Sequence, residues 1–124
     1  MLDLLKQALQ SKEEEPYLKR LQVKVGDRIL LVNPEDILYF ESQDKYTNVH
    51  TLDNMYIIDN PLVELEKKLN PKQFIRVHRA TLVNTEWIQE IHRYVGGKLQ
   101  VQLKNEKKTL LTVSRSYTDN VRSL

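Results

Sequence analysis

The sequence has no cysteine and no long apolar run, and both absences narrow the class of protein. Without cysteine the 124-residue chain has neither disulfides nor thiolate metal ligands, so a disulfide-stabilised secreted scaffold is excluded. No apolar stretch approaches the roughly 20 residues that a membrane-spanning helix needs. Residues 1–10 lack the basic start and the continuous apolar core of a signal peptide. We therefore expect a cytoplasmic protein without a membrane segment, and a length that suits one domain with a single modest core.

The common catalytic motifs are also missing. The chain has no Gly-rich phosphate loop and no G-x-S-x-G motif. Its histidines, His50, His78 and His92, do not have the spacing of metal ligands. A nuclease-like arrangement, with His78 as general base and Glu86 or Glu90 nearby, would lack a metal or a positioned electrophile. We predict that the chain is not an enzyme and uses no metal or cofactor.

The positive charge is concentrated in the C-terminal part of the chain. Residues 1–69 contain nine Lys and Arg against thirteen Asp and Glu, a net charge of −4, whereas residues 70–124 contain ten against four, a net charge of +6. The two parts sum to the net charge of +2 of the whole chain. A basic half favours a polyanionic partner and speeds its encounter. Much of such a charge is also ordinary solvated surface, so this asymmetry alone does not decide the function.

Short alternating segments separated by turn residues dominate the chain. Strands are predicted at residues 18–25, 28–32, 37–42, 49–52, 55–58, 88–94, 98–103 and 109–113, with two more inside residues 74–84. Tight turns are predicted at residues 26–27, 53–54, 96–97 and 105–106, each of which contains a Gly or an Asn. The pattern predicts a mainly β, antiparallel domain. It argues against helix-turn-helix, because no two predicted helices are joined by a short turn.

Three helices complete the prediction. A central helix is expected to be capped by Asn60 and to present an apolar face of leucines, Leu62, Leu65 and Leu69. A C-terminal helix over residues 115–124 is expected to be capped by Ser114, with an inward stripe of Tyr117, Val121 and Leu124. Residues 1–16 read as a short amphipathic helix followed by a linker. That helix either folds back on the domain or is a remnant of a connector to an upstream domain, or a dimerisation helix.

The segment from residue 74 to residue 84 carries the strongest functional signal. Apolar and polar residues alternate on both sides of a central His78-Arg79 pair, as in two short strands joined by a polar turn. Such a turn would hold both side chains outward on a stiff base. The planar donor fork of an arginine suits phosphate oxygens or the acceptor edge of guanine. Taken alone, an arginine on a turn is more often a partner in a surface salt bridge.

A second candidate segment is the polar stretch of residues 43–48, predicted to be a loop between strands. Lys45 and Tyr46 are suited to phosphate, and Asn48 offers the paired donor and acceptor that match adenine. Thr47 lies between them in the same predicted loop. A solvated loop without function is the open alternative.

Two segments together resemble the LytTR family, the non-helical DNA-binding output domain of bacterial transcriptional regulators. Residues 74–84 resemble the family pattern Phe-x-Arg-x-His-Arg-Ser-x-Leu-Val-Asn. Residues 113–117 resemble a second signature, an apolar residue followed by Ser-Arg and by an aromatic residue two positions on. The resemblance covers residues 17–124, with both motifs in the expected order. Ala80 stands where the family usually has serine, so any contact made by that hydroxyl is missing.

The resemblance implies a set of DNA-contacting residues. Arg79 and Arg115 match family residues that enter DNA grooves, and the loop at residues 43–48 matches one that contributes a base contact. His78 either bonds a backbone carbonyl and so fixes its turn, or contacts phosphate. Arg76 is expected to contact phosphate or to form a surface ion pair, and Ser114 to hold the backbone before Arg115. The complete set of candidates is Arg79, Arg115, His78, Lys45, Tyr46, Thr47, Asn48, Arg76 and Ser114.

The resemblance also implies a function and a fold. We expect an elongated β fold of the LytTR type, with one short central helix and a C-terminal helix, that binds double-stranded DNA sequence-specifically. Its loops would enter two successive major grooves and the minor groove between them and bend the DNA. Family members bind as pairs on promoter direct repeats and commonly follow a receiver domain, so dimerisation on DNA and an upstream receiver domain are expected. The alternatives are an all-β protein-interaction module with a basic face and RNA binding, which few aromatic residues support.

Overall fold

The computed structural model describes residues 17–124, and these residues form a mainly β domain as predicted. The strands are β1 Leu21–Val25, β2 Arg28–Val32, β3 Ile37–Gln43, β4 Tyr46–Thr51, β5 Met55–Ile58, β6 Phe74–His78, β7 Thr81–Asn84, β8 Ile88–Arg93, β9 Leu99–Leu103 and β10 Leu110–Val113. The helices are α1 Leu62–Lys68 and α2 Thr118–Arg122, with single 3-10 turns at Pro34–Asp36, Thr85–Trp87 and Arg115–Tyr117. The prediction of one short central helix and a C-terminal helix is confirmed. The N-terminal helix and linker predicted for residues 1–16 lie outside the described residues.

All strand pairs within residues 17–124 are antiparallel. The largest sheet has five strands in the order β5-β4-β3-β7-β6, a second has three in the order β10-β9-β8, and β1 and β2 form a separate ribbon. The five-stranded sheet lies at the centre, because its successive residues Leu82 and Val83 belong to different apolar clusters. Helix α1 and the β1-β2 ribbon pack on one face of this sheet. The three-stranded sheet and α2 pack on the other.

Alternation of apolar residues along the strands produces these two cores. The first contains the buried leucines of α1, Leu62, Leu65 and Leu69, which confirms the predicted apolar face of that helix. The second contains Leu99, Val101 and Leu103 of β9, which are two residues apart and so share one face of the strand. The intervening residues of β9, Gln100 and Gln102, are only half-buried, as expected for a sheet with one covered face, whereas all four residues of β7 are buried because both faces of the five-stranded sheet are covered. The sheet faces therefore follow directly from the period-two pattern in the sequence.

The alternation of side chains along β3 is interrupted at one point. A regular strand would place Ile37 and Tyr39 on the same face, but the pairing of β3 with β4 shifts between these two residues. Ile37 lies in the first core, whereas Leu38 lies in the second with Tyr39 packed against it. A β-bulge inserts one extra residue and redirects the side chains that follow it. A second shift of this kind lies in β6, between Arg76 and His78.

Both helix starts differ from the prediction. Pro61, not Asn60, is the last extended residue before α1, and the Asn60 side chain instead donates to Glu64 at 3.3 Å. The Asn60 carbonyl accepts a 2.6 Å hydrogen bond from the Thr47 hydroxyl, which holds Asn60 against β4. Proline is well suited to position 61, because a backbone N–H at the start of a helix has no acceptor within the helix.

At the C-terminus the helix starts later than predicted. Ser114 makes no side-chain cap, since its backbone N–H donates to the Val77 carbonyl at 2.8 Å and keeps the residue extended along β6. A 3-10 turn follows, and α2 begins only at Thr118. Of the predicted inward stripe, Val121 is buried and Tyr117 is half-buried, but Leu124 is 56% exposed.

Candidate nucleic-acid interface

Two hairpin turns lie together at one end of the five-stranded sheet. Strand β3 pairs with β7 so that Glu41 faces Thr81, and the Ser42 N–H donates to the Ala80 carbonyl at 2.8 Å. The β3-β4 turn at residues 44–45 and the β6-β7 turn at residues 79–80 are therefore neighbours. Each turn exposes one cation, Lys45 in the first and Arg79 in the second.

Arg115 reaches the same end from the other sheet. The bond from the Ser114 N–H to the Val77 carbonyl places the start of the 3-10 turn beside the last residues of β6. Arg79 lies two residues beyond Val77, which is about 7 Å along a strand. The Thr118 hydroxyl donates to the Arg115 carbonyl at 2.9 Å and fixes the backbone on its far side. We call the three exposed cations Lys45, Arg79 and Arg115 the basic end.

The side chains of Arg79 and Arg115 are exposed. Within residues 17–124 neither forms a hydrogen bond or an ion pair through its guanidinium. Their backbones, by contrast, are held by bonds to neighbouring strands and turns. An arginine on a fixed backbone with a free fork is positioned to bind a planar pair of acceptors, such as two phosphate oxygens or the edge of guanine.

The Arg79 turn is held by His78, although not in the way predicted. The ring was expected either to bond a backbone carbonyl and so fix the turn or to contact phosphate. In the structure Nδ1 fixes the turn by accepting a 3.1 Å hydrogen bond from the Ala80 N–H instead, and the phosphate contact stays a prediction. The neutral ring must therefore carry its proton on Nε2, because a protonated Nδ1 cannot accept. The β6 bulge immediately before His78 brings the ring to the position where it closes the turn.

Arg76 is engaged inside the protein. Its Nε donates to the His78 carbonyl at 3.0 Å and its Nη2 to the Arg79 carbonyl at 2.7 Å. Its Nη1 forms an ion pair with Glu66 of α1. Only 11% of the Arg76 side chain is exposed. Of the two roles considered from the sequence, the structure contains the ion pair. Sequence reasoning missed Glu66, because a residue ten positions upstream in another element carries no local signal.

The polar stretch of residues 43–48 is not the loop that was predicted. Strand β3 continues to Gln43 and β4 begins at Tyr46, so that a two-residue turn with positive φ of 55° at Asp44 connects them. Thr47 and Asn48 are buried in β4, and the Asn48 amide donates to Gln43 at 2.8 Å. Six polar residues in a row suggested a solvated loop. Hydrogen bonds to neighbouring groups instead allow these polar side chains to be buried in a strand.

This correction changes which side chains of the stretch are accessible. Lys45 lies in the turn and Tyr46 is 52% exposed at the start of β4. Thr47 donates its hydroxyl to a backbone carbonyl and does not project from the domain. Of the four candidate residues in this polar stretch, Lys45 and Tyr46 are thus the two that face outward at the basic end.

A polar cluster lies farther along β3 and β4. The rings of Tyr39 and His50 stack with centroids 4.1 Å apart, and His50 Nε2 lies 3.5 Å from the Glu41 carboxylate. Burial lowers the pKa of His50 below its ordinary value, and the nearby Glu41 only partly opposes this effect. Burial also raises the pKa of Tyr39. In residues 17–124 no group of three His, Asp or Glu side chains is arranged to hold a metal ion.

Comparison with known proteins identifies the family of this arrangement. The family model of the LytTr DNA-binding domain matches the sequence over residues 27–124. Neither helix of the described part of the chain is long and apolar enough to cross a membrane. The residues that form the basic end all lie within the matched range.

Two curated relatives and one solved structure resemble the chain over most of its length. It is 38% identical over 105 residues to the sensory transduction protein LytT of Bacillus subtilis, covering 85% of this chain and 43% of that protein. It is 33% identical over 97 residues to the transcriptional regulatory protein LytR of Staphylococcus aureus, covering 78% and 39%. The matched part thus spans less than half the length of these relatives.

The solved structure is described as the LytTr DNA-binding domain of a response regulator from Bacillus cereus. It superposes with a TM-score of 0.76 at 25% identity, covering 86% of this chain and 95% of that one. The family resemblance drawn from the two sequence motifs is therefore confirmed by sequence and by fold. The chain belongs to the LytTR family of DNA-binding domains.

Proposed function

We propose that this domain binds double-stranded DNA sequence-specifically and reads it with the basic end. The observation that carries the proposal is the convergence of Arg79 and Arg115, from different sheets, on one end of the domain, where neither guanidinium bonds to another group of residues 17–124. Fixed backbones reduce the entropy that each arginine loses on binding, so more of the contact energy becomes discrimination between sequences. Loops at strand ends do the reading, because the two helices of residues 17–124 are separated by five strands and are not joined by a short turn as in helix-turn-helix proteins.

Each member of the candidate set has a distinct proposed role. Arg79 and Arg115 contact base edges, where a bidentate pair with guanine is worth about 1–3 kcal/mol against a wrong base. Lys45 and Tyr46, at the neighbouring β3-β4 turn, contact phosphates. His78 and Ser114 act through the backbones that they hold. Thr47 and Asn48, together with Arg76, are engaged within the protein and support the contacts from behind.

The wider role proposed is that of the output domain of a two-component-type regulator. The relatives named above are a sensory transduction protein and a transcriptional regulatory protein, and each is more than twice the length of the matched part. A receiver domain upstream and paired binding to promoter direct repeats, with dimerisation on DNA, are the arrangement that we propose for the full protein.

The test is equilibrium binding to duplexes selected from a random pool. We expect Arg79→Ala and Arg115→Ala each to lower the preference for the selected duplex over a scrambled one by about 5- to 150-fold, the equivalent of one base-reading arginine. Far-UV circular dichroism checks that the fold is unchanged. Lys107→Ala is the matched control, because it also removes an exposed positive charge but lies in the β9-β10 turn, at the end of β9 opposite to Leu99 and Ser114.

The control variant should lose only a little affinity, equally for both duplexes, since a distant cation contributes to diffuse attraction alone. Each phosphate contact removed should lower the slope of log affinity against log salt by about 0.9. Equal discrimination in the wild type and in both arginine variants would refute the assignment of base contacts. Absence of any duplex binding by the wild-type domain would favour an all-β interaction module instead.

A further inference from the structure

The backbone of the Arg79 turn is held at every peptide group. The His78 carbonyl accepts from Arg76 Nε, and the Arg79 carbonyl accepts from Arg76 Nη2. The Ala80 N–H donates to the His78 ring, and the Ala80 carbonyl accepts from Ser42. The two carbonyls bound by Arg76 lie on either side of Arg79. One guanidinium therefore fixes the orientation of both peptide planes that flank the proposed base-reading residue.

The geometry of this contact requires an arginine. The two carbonyls are reached by different nitrogens of one planar group, and the third nitrogen pairs with Glu66. A lysine ammonium is a single point of charge and cannot hold three acceptors in a fixed plane. Hydrogen bonds from a charged donor are also stronger than those between neutral groups. The turn is thus held more firmly than the backbone bonds of a hairpin alone would allow.

Glu66 connects this contact to helix α1. The helix is fixed on the sheet by Leu62 and Leu65, which are 4% and 0% exposed. Glu66 projects from the same helix to Arg76, while Glu64 pairs with Lys68 at 2.7 Å on the helix surface. The ion pair therefore orients Arg76 from a rigid support on the side away from the turn.

We infer that Arg76 and Glu66 are positioning residues that preorganise the Arg79 turn for DNA without touching DNA themselves. This inference rests on the proposed function of Arg79. Substituting either residue should leave the Arg79 side chain itself unchanged but make the turn that carries it more mobile. Immobilising Arg79 on DNA then costs more free energy. The expected loss of affinity for a selected duplex is on the order of tenfold, the cost of ordering one long side chain.

Removing the charge of Glu66 separates positioning from simple electrostatics. Glu66→Gln makes the domain more positive by one charge, so attraction to polyanionic DNA alone predicts tighter binding. Positioning predicts weaker binding to the selected duplex. Glu64→Gln is the matched control, because it removes the same charge from the same helix and leaves the Arg76 contacts intact. Arg76→Lys keeps the positive charge at the turn and removes only the planar guanidinium that bonds to the two carbonyls.

Two readouts test the inference on the described domain. Affinity for the selected and scrambled duplexes is measured for the wild type, Glu66→Gln, Glu64→Gln and Arg76→Lys, with circular dichroism as the check on folding. Hydrogen exchange of the Ala80 amide, followed by NMR without DNA, reports on the turn itself. We expect Glu66→Gln and Arg76→Lys to weaken selective binding and to speed Ala80 exchange. Glu64→Gln should do neither.

The possible results distinguish this inference from the proposed function. Unchanged Ala80 exchange in both variants would overturn the positioning role, whatever the DNA result. Faster exchange with undiminished affinity would overturn the link between the turn and binding. If the wild type binds no duplex, or if Arg79→Ala leaves discrimination intact, the proposed function fails, and the exchange data still report separately on how the turn is held.

Discussion

Replacing Asn84 with alanine should cost the domain a large part of its stability. Asn84 is fully buried at the end of β7 and bonds to two different segments. Its Nδ2 donates to the Ile37 carbonyl at 2.9 Å and to the Pro34 carbonyl at 3.3 Å. Its Oδ1 accepts from the Glu86 N–H at 3.0 Å and caps the 3-10 turn that follows. The side chain thus ties the β2-β3 connection to the β7-β8 connection.

The magnitude follows from the three bonds lost. Each hydrogen bond contributes about 1 kcal/mol net, and leaving its buried partner unsatisfied costs about 1–3 kcal/mol. The cap alone is worth about 1 kcal/mol. We expect a loss of about 3 kcal/mol in the free energy of unfolding, which lowers the Tm of a domain of this size by about 10–20 °C.

Urea denaturation followed by fluorescence suits this measurement. Trp87 is the only tryptophan of the chain, and its indole N–H donates to the Glu35 carbonyl at 3.0 Å, so it reports on the same two connections that Asn84 joins. Asn70→Ala is the matched control, since the Asn70 side chain also accepts from a backbone N–H two residues on, but this hydrogen bond is exposed and the residue is only half-buried. The control should lose less than about 1 kcal/mol. An Asn84 variant as stable as the Asn70 variant would refute the reasoning.

Two further predictions concern the stability of the domain. Leu65→Ala should cost about 2–5 kcal/mol because Leu65 is fully buried between α1 and the sheet, whereas Val63→Ala, at a site 58% exposed, should stay within about 0.5 kcal/mol in the same urea titration. Because burial lowers the pKa of His50, the unfolded chain takes up this proton at higher pH than the folded domain does. Stability should therefore fall as the pH drops below the ordinary imidazole range, and level off below the folded pKa. His50→Phe keeps an aromatic ring beside Tyr39 and should reduce this dependence; an identical pH profile in the variant would contradict the assignment.

The strands and most hairpin turns could be predicted because their signals are local. Strands β2 and β5 have the predicted bounds, and the turn at Gly26 has the positive φ that a glycine permits. The apolar face of α1 follows in the same way from the spacing of three leucines. These features depend on residues within a few positions of each other.

The errors arose where contacts between distant segments decide the structure. The bulge at Leu38 directs the consecutive residues Leu38 and Tyr39 to the same core, while Ile37 and Phe40 lie in the other, and no alternation within the strand reveals this. Thr47 and Asn48 look like loop residues until their partners, the Asn60 carbonyl and the Gln43 amide, are known. Ser114 is a good cap by type, but its backbone is paired to β6.

The same distinction between local signals and contacts of distant segments applies to the candidate site. The motifs identified Arg79 and Arg115 and predicted their exposure, because exposed turn residues have local signals. They did not indicate that Arg76 serves the turn from inside, since its partner Glu66 belongs to another element. The residues that position a site from within the protein are thus harder to predict from sequence than its exposed residues.

The central claim is tested most directly by mapping where duplex DNA contacts the domain. Amide chemical shifts of the labelled protein are recorded by NMR during titration with a selected duplex and with a scrambled duplex of equal length. We predict that the largest changes with the selected duplex fall at residues 44–46, 78–80 and 114–116 and shrink with the scrambled one. Changes concentrated at the opposite end, around residues 52–54 and 104–108, or equal for both duplexes, would contradict the account.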